Sequence, residues 1–303
     1  MIEFLPLDPQ RKEEYDRMLQ SCGERGCEYS FVNLYLWGRQ AAAFVEGCLT
    51  FFSQFNRKSV YLFPVGPGDR KAAIEAVMED AKKRGIPCRF TGLTTEDCAL
   101  LEALFPGRFR LHNDRDAFDY IYLAEELAQL KGRKFQRKRN HLNRFRADRP
   151  DCRLVPITKE TIPLAEDLVQ KWYALRLEEN PHADYLMEQA ALKKALQNWD
   201  ALGLVGMLLM DGDQVLAMTA GSRLSEDTFD IHFEKALDIH DGAYAAINQG
   251  FAAYLQETYP QVRYLNREDD MGLEGLRKAK LSYCPDHMLE KHWACLLEDC
   301  YDY

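Results

Sequence analysis

Apolar residues recur along this chain in two rhythms, alternating in short runs and spaced three or four apart in longer ones. The rhythms succeed one another in the same order twice. In the second half, "DQVLAMTAGSRL" and "DTFDIHFEKA" alternate around the polar turn "LSED", which predicts a hairpin. "DGAYAAINQGFAAYLQETY" then places Tyr244, Ile247, Phe251 and Leu255 at helical spacing, with Asp241 as the expected N-cap. A short strand "VRYLN", a helix "GLEGLRKAKLSY" and a final strand "HMLEKHWACLL" complete the order ββαβαβ.

The first half repeats it. "GCLTFFSQF" and "SVYLFPV" read as strands, "DRKAAIEAVMEDAKKRG" as a helix, "PCRFTG" as a strand, "TEDCALLEALF" as a helix and "AFDYIYL" as a strand. Val60 and Phe229, Lys71 and Ala243, Cys88 and Val262, and Phe118 and Met288 are each separated by about 170 residues, the constancy expected of a duplicated domain. A strand pair, crossover helix, further strand and helix, and closing strand make a mixed sheet flanked by helices. The expected division is a first domain over 1–130, a connecting helix over 131–150 and a second domain over 151–303.

Composition supports a folded chain. Its 303 residues suit two domains, and 47% hydrophobic with 29% charged residues is globular rather than disordered. The start, "MIEFLPLDPQRKEEYDRM", has no basic segment followed by an apolar core, so no signal peptide is expected. The apolar run "LGLVGMLLM", at 202–210, is about half the length of a membrane span, so any membrane contact is expected to be peripheral. Nine cysteines without a CxxC pair, and seven histidines without an HExxH arrangement, argue against structural zinc. Reduced thiols and a cytoplasmic location are expected.

Charge is unevenly spread. Residues 131–150, "KGRKFQRKRNHLNRFRADRP", hold nine Lys or Arg and one acid, while the remainder has 30 basic and 47 acidic residues, a net of −17. Phe135, Leu142 and Phe145 fall on one helical stripe, with the stem of Lys138 or Arg139 between them. Arg133, Lys134, Arg137 and Arg146 lie largely elsewhere, and Asn140 and Asn143 are expected along the apolar side of a buried junction. A focused positive field on an acidic protein suits a defined anion: a tRNA acceptor end, a phospholipid headgroup or a nucleotide. The alternative is a helix that fastens two domains by pairing with their acids.

At "KGRKFQRKRNHLNRF" and "YLNREDDMGLEGLRKAKLSYCP" the chain resembles the family that includes the C-terminal catalytic domain of lysylphosphatidylglycerol synthases, within the wider Gcn5-related acyltransferase fold. The resemblance spans nearly the whole chain. It implies an α/β (α+β) protein of two tandem Gcn5-related N-acyltransferase-like domains, with an amino acid carried on tRNA transferred to a lipid hydroxyl or another acceptor. Aminoacyl-tRNA is then a co-substrate and no tightly bound cofactor or metal is expected. A tRNA acceptor end and an anionic lipid headgroup at a membrane surface are the implied partners, with no transmembrane segment in this chain.

Acetyl-CoA enzymes of this fold hold pyrophosphate in a Gln/Arg-x-x-Gly-x-Gly/Ala loop before a helix. Here the loop reads "IHDGAYAA": Gly242 matches, Ile239 replaces the first position, Tyr244 the last, and Asp241 adds a negative charge. In the first domain "PVGPGDRKAA" keeps two glycines, either an anion loop or a simple turn.

Arg267, Glu268, Asp269 and Asp270 crowd the carboxyl end of a strand just after Asn266, where sheets of this kind place their sites. Glu268, Asp270 and Glu234, in "HFEKA", are the candidate general bases. The alternative for Glu234 is a salt bridge with Lys235 or Arg267. Lys278 falls where this fold often carries a general-acid tyrosine, and Tyr283 follows a few residues on. Arg133, Lys134, Lys138, Arg139, Arg144, Gly242, Tyr244 and Arg277 are the donor- or phosphate-binding candidates. Trp172, Arg176, Asn266 and Arg267 are the acceptor-binding ones, with Trp172, Leu175 and Glu179 at helical spacing beside Arg176.

An aminoacyl ester is already activated, so positioning and electrostatics suffice for its transfer. Two other functions fit the same residues: an acyl-CoA-dependent N-acyltransferase on a small amine, and a non-catalytic sensor of a nucleotide or anionic metabolite.

Overall fold

The computed structural model describes residues 1–20, 22–23, 25–55, 58–182, 184–237 and 242–300. Two units divide these residues. One comprises Met1–Asp119, Asp269–Leu273 and Met288–Tyr303, and the other Tyr120–Glu268 and Glu274–His287. This differs from the expected division at 130 and 150, because a strand from each half is built into the sheet of the other.

The first unit contains β1 (Leu5–Pro6), α1 (Lys12–Leu19), α2 (Phe31–Leu36), β2 (Arg39–Val45), β3 (Cys48–Phe55), β4 (Lys58–Leu62), α3 (Arg70–Arg84), β5 (Arg89–Leu93), α4 (Thr95–Leu104) and β6 (Phe109–Asn113). Local sequence explains the helix ends. Asp69 caps α3 by accepting from the Ala72 N–H, Gly85 closes it at φ 68°, and Thr94 with Asp97 forms a capping box on α4. Tyr61, Phe63, Ile74, Val77, Phe90 and Leu101 form the core between sheet and helices.

The second sheet and its helices comprise β7 (Asp119–Leu123), α5 (Ala124–Gln129), α6 (Gln136–Asp148), β8 (Arg153–Pro156), α7 (Ile162–Glu179), α8 (Leu186–Gln197), β9 (Val205–Asp211), β10 (Gln214–Arg223), β11 (Thr228–Ala236), α9 (Ala243–Thr258), β12 (Tyr264–Asn266), α10 (Glu274–Leu281) and β13 (His287–Leu289). The run at 202–210 supplies β9, and no helix among the described residues is long and apolar enough to cross a membrane. The expected single strand "HMLEKHWACLL" is broken: Glu290 and Lys291 separate β13 from β14 (His292–Leu296).

The sheets run β1-β2-β3-β4-β5-β14-β6 and β13-β7-β12-β11-β10-β9-β8. Read from the β8 end, the second matches the first strand for strand. In each, a parallel pair, β4–β5 or β11–β12, is flanked on both sides by antiparallel pairs. The duplication read from spacing is therefore present in the topology. Its closing strands are exchanged: β7, from the first half, pairs with β12, and β14, from the second, pairs with β5.

The glycines of "PVGPGDRKAA" have a packing role. A Cβ at Gly68 would lie 2.1 Å from the Glu46 carbonyl oxygen, so the turn lies directly on the β2–β3 connection.

Candidate functional site

Strand pairing opens the site. β11 runs beside β10 as far as Ala236, but meets β12 only at Thr228–Tyr264, Phe229–Leu265 and Asp230–Asn266. Beyond Asn266 the two strands part, and among the described residues the second half of β11 pairs with no strand on that side.

A register shift then sorts the side chains. Ala220 opposes Phe233 while Gly221 opposes Ile231, so His232 is an extra residue on β11, a β-bulge. Phe229 packs on Phe251 of α9, and Glu234, an even-numbered position, also reaches α9 through Asn248. Strict alternation would have put Glu234 on the face of Asp230. The bulge turns it to the face of α9.

Glu234 is the centre of that face. Its side chain is 11% exposed and accepts from Arg267 Nη2 at 2.9 Å and from Asn248 Nδ2 at 3.2 Å. Of the two expected partners, Arg267 is the one used; Lys235 pairs instead with Glu188. Thr219 stands opposite Glu234 in the ladder. Three buried polar atoms around this acid, Thr219 Oγ1, Asn248 Oδ1 and Arg267 Nη1, have no hydrogen-bond partner among the described residues. Buried polar atoms are nearly always satisfied, so such a group points to a ligand or water.

Aromatic rings and one lysine enclose the acid. The Arg267 guanidinium lies 4.8 Å from the Tyr283 ring centre and 5.5 Å from that of Tyr122. Lys138 Nζ sits 3.8 Å from the centre of the Tyr283 ring. Burial, reinforced by Arg267, pulls the Lys138 ammonium down to about 8. Burial also raises the Tyr283 phenol, which keeps its proton.

The expected acceptor region partly adjoins this cluster. Trp172 Nε1 donates to the Tyr244 hydroxyl at 3.3 Å, Lys235 Nζ lies 3.8 Å from the centre of the Trp172 ring, and the Arg176 guanidinium lies 5.1 Å from that same ring centre while pairing with Glu179. Burial lowers the Lys235 ammonium, opposed by Glu188. Leu175 and Glu179 face solvent, so the buried stripe of α7 is Ala165, Leu168, Val169 and Tyr173 instead.

The basic helix forms as α6, buried along Phe135, Leu142 and Phe145. Arg133, Lys134, Arg137, Arg144 and Arg146 are exposed, and so are Asn140 and Asn143, which were expected on the buried side. Lys134 pairs with Glu126, and Arg146 donates to Gln249. Arg139 donates to the Leu130 and Gly132 carbonyls and thereby fastens the turn before its own helix. Gly242, at φ 91°, meets α6: a Cβ there would lie 2.9 Å from Phe145 Cβ and 3.1 Å from the His141 carbonyl. Its match to a pyrophosphate loop thus has a packing cause. Ile239 and Asp241 lie outside the described residues.

The charged run after β12 separates. Asn266 Oδ1 accepts from the Glu268 N–H, building the turn, and Glu268 joins His232 on the face away from Glu234. Asp270 belongs to the first unit, where it accepts from Arg115 and from the Gly272 N–H, a structural role. Lys278 points outward, 73% exposed and paired with Glu274 one turn back, whereas Lys280 is the buried lysine of α10. Arg277 is half-buried.

Sequence reading missed Asn248, Thr219, Tyr122 and His232. Asn248 carried a signal, a polar residue on the apolar side of α9. The others gave none, since their neighbours come from distant strands.

The chain matches the family described as phosphatidylglycerol lysyltransferase, C-terminal, over residues 20–295. No curated protein matches it. Among solved structures it is similar to a conserved protein of unknown function from Bacteroides thetaiotaomicron, with 40% identity, TM-score 0.92, and coverage of 98% of this chain and 100% of that one. It is also similar to L-PGS from Bacillus licheniformis, at 16% identity and TM-score 0.70 over 99% of this chain and 94% of that one. FemX shares 11% identity at TM-score 0.59, covering 98% of each chain. The last two likenesses are of fold alone.

Proposed function

Because the chain belongs to the family of phosphatidylglycerol lysyltransferase C-terminal domains, which supports an acyltransferase-type function, we propose that it transfers an aminoacyl group from aminoacyl-tRNA to a lipid hydroxyl or another acceptor. The observation that carries this reading is the position of Lys138. It belongs to the basic helix, yet its Nζ lies on the Tyr283 ring beside the Arg267–Glu234 pair. A polyanion held on the exposed Arg137, and on Arg133 just before the helix, would reach the enclosed acid along α6.

Glu234 takes the acceptor proton. The acceptor oxygen bonds to the aminoacyl carbonyl carbon, the bond from that carbon to the tRNA ester oxygen breaks, and the proton passes to the released oxygen. Arg267 Nη1, which has no protein partner among the described residues, steadies the developing oxyanion. Lys278, an exposed lysine in a helical ion pair, takes no part in this step. Asn248 holds Glu234 in place.

The test is thermal stabilisation at fixed moderate salt by charged tRNA, uncharged tRNA and coenzyme A derivatives in parallel, followed by transfer of a labelled amino acid to phosphatidylglycerol vesicles. Stabilisation by charged tRNA with transfer that Glu234→Gln abolishes is the expected result. A response to coenzyme A alone would select an acyl-CoA-dependent N-acyltransferase. Binding without turnover would select a sensor.

A further inference from the structure

On the sheet face opposite Glu234, three potential ligands converge. His232 Nδ1 lies 3.3 Å from Glu268 Oε1 and 3.5 Å from Asp230 Oδ2, and one ligand atom from each residue lies within 4.8 Å of the others. The Asp230 and His232 side chains are 0% exposed and that of Glu268 is 21% exposed. On the other side of the ring, Nε2 lies 2.8 Å from Ser222 Oγ, itself buried.

Hydrogen bonding alone fits these distances poorly. A charge-assisted N–H···O bond closes to about 2.7–2.9 Å, and one imidazole nitrogen carries one proton for two carboxylates. Ligands about 2.0–2.2 Å from a shared tetrahedral ion lie about 3.3–3.6 Å apart, which is the spacing of His232 Nδ1 to each of the two carboxylates. In the tautomer whose Nε2–H donates to Ser222 Oγ, the Nδ1 lone pair faces the two carboxylates, the orientation a metal-binding imidazole needs. The bulge at His232 is what aims the ring between strands β11 and β12.

The first unit offers an instructive contrast. Cys27, Glu28 and Asp119 also converge, but Lys291 Nζ already lies there, 2.7 Å from Asp119 and 3.2 Å from Glu28. That cluster has a covalently supplied cation and needs no ion.

We propose that Asp230, His232 and Glu268 bind one divalent transition-metal ion, zinc as the first choice for a mixed imidazole and carboxylate set, with Ser222 fixing the ring and a fourth position left to water. The site ties the last paired rung of β11 and β12 to the residue after Arg267. It therefore holds the opening in which Glu234 sits, and it stands whether or not the transfer proposed above takes place.

The experiment uses the full chain, stripped with a chelator and dialysed, then titrated calorimetrically with zinc chloride and, separately, manganese chloride, with elemental analysis for stoichiometry. One zinc ion per chain is expected, weakened at least 100-fold by Glu268→Gln or His232→Gln and about 10–100-fold by Ser222→Ala. Glu234→Gln, on the other face, should leave affinity unchanged. Should His232→Gln fail to fold, Glu268→Gln and Ser222→Ala decide, with circular dichroism checking each fold. Failure of natively folded wild type to bind either ion overturns the proposal. So does binding that Glu268→Gln and Ser222→Ala leave unchanged, since the ion would then sit on cysteines or histidines elsewhere.

Discussion

Arg267 donates to Glu234 at 2.9 Å while its guanidinium lies 4.8 Å from the centre of the Tyr283 ring, so one side chain both neutralises a buried acid and orders the aromatic wall beside it. Both partners of the pair are close to nine-tenths buried, which makes removing one far costlier than removing both. Arg267→Ala should cost roughly 3–5 kcal/mol in urea unfolding. Arg267→Met combined with Glu234→Gln should recover much of that stability while transfer stays lost. Equal stability of Arg267→Ala and wild type would show that the pair is solvated.

Lys138 should titrate far below an ordinary lysine, near 8, because burial and Arg267 both disfavour its charge. Competitive labelling with an acylating reagent, read by mass spectrometry from pH 7 to 10, measures it directly. The linkage has a definite sign. The unfolded chain, with this lysine near 10.5, binds more protons between about pH 8 and 10.5, so stability contributed by this group rises with pH across that window. Lys138→Met should flatten the rise, and an unchanged slope would place the ammonium in water.

The basic helix separates into residues that hold the fold and residues that face solvent. Arg139→Ala, which strips two carbonyls of their donor, should lower stability by about 1–3 kcal/mol. Arg133→Ala and Arg137→Ala, both exposed, should leave the melting temperature unchanged and weaken tRNA binding, each reducing the salt slope by about 1. The measurement is tRNA affinity across a salt series. Loss of affinity with Arg139→Ala alone would reverse the assignment.

Strand exchange makes each sheet depend on the other half of the chain. Truncation after Asp286 removes β14 from between β5 and β6, and with it Lys291, which pairs with the fully buried Asp119. The first unit should lose its cooperative transition in calorimetry. Lys291→Met in the full chain should cost roughly 3–5 kcal/mol, because Asp119 keeps a buried charge without its cation. A native melting profile after truncation would mean that β6 closes directly on β5.

Much of the architecture was written locally. Alternation in "DQVLAMTAGSRL" and "DTFDIHFEKA" became β10 and β11, the helical spacing of Ile247, Phe251 and Leu255 became the buried face of α9, and the offset of about 170 residues became two matching sheets. These features depend on neighbours a few residues away, and periodicity records them. The family resemblance was legible for the same reason, in two uninterrupted blocks.

The site's chemistry was settled by contacts that periodicity does not encode. A one-residue bulge at His232 moved Glu234 to the face of α9, against the parity of its strand. Two lysines illustrate the same limit: Lys278, expected at the site, turned to solvent, while Lys138, one of many cations on a surface helix, turned onto Tyr283. The exchange of β7 and β14 likewise could not be read from spacing, because a strand's sequence fixes its period and its buried face but not which sheet it completes. That choice belongs to long-range packing, where partners lie far apart along the chain and meet only once it has folded.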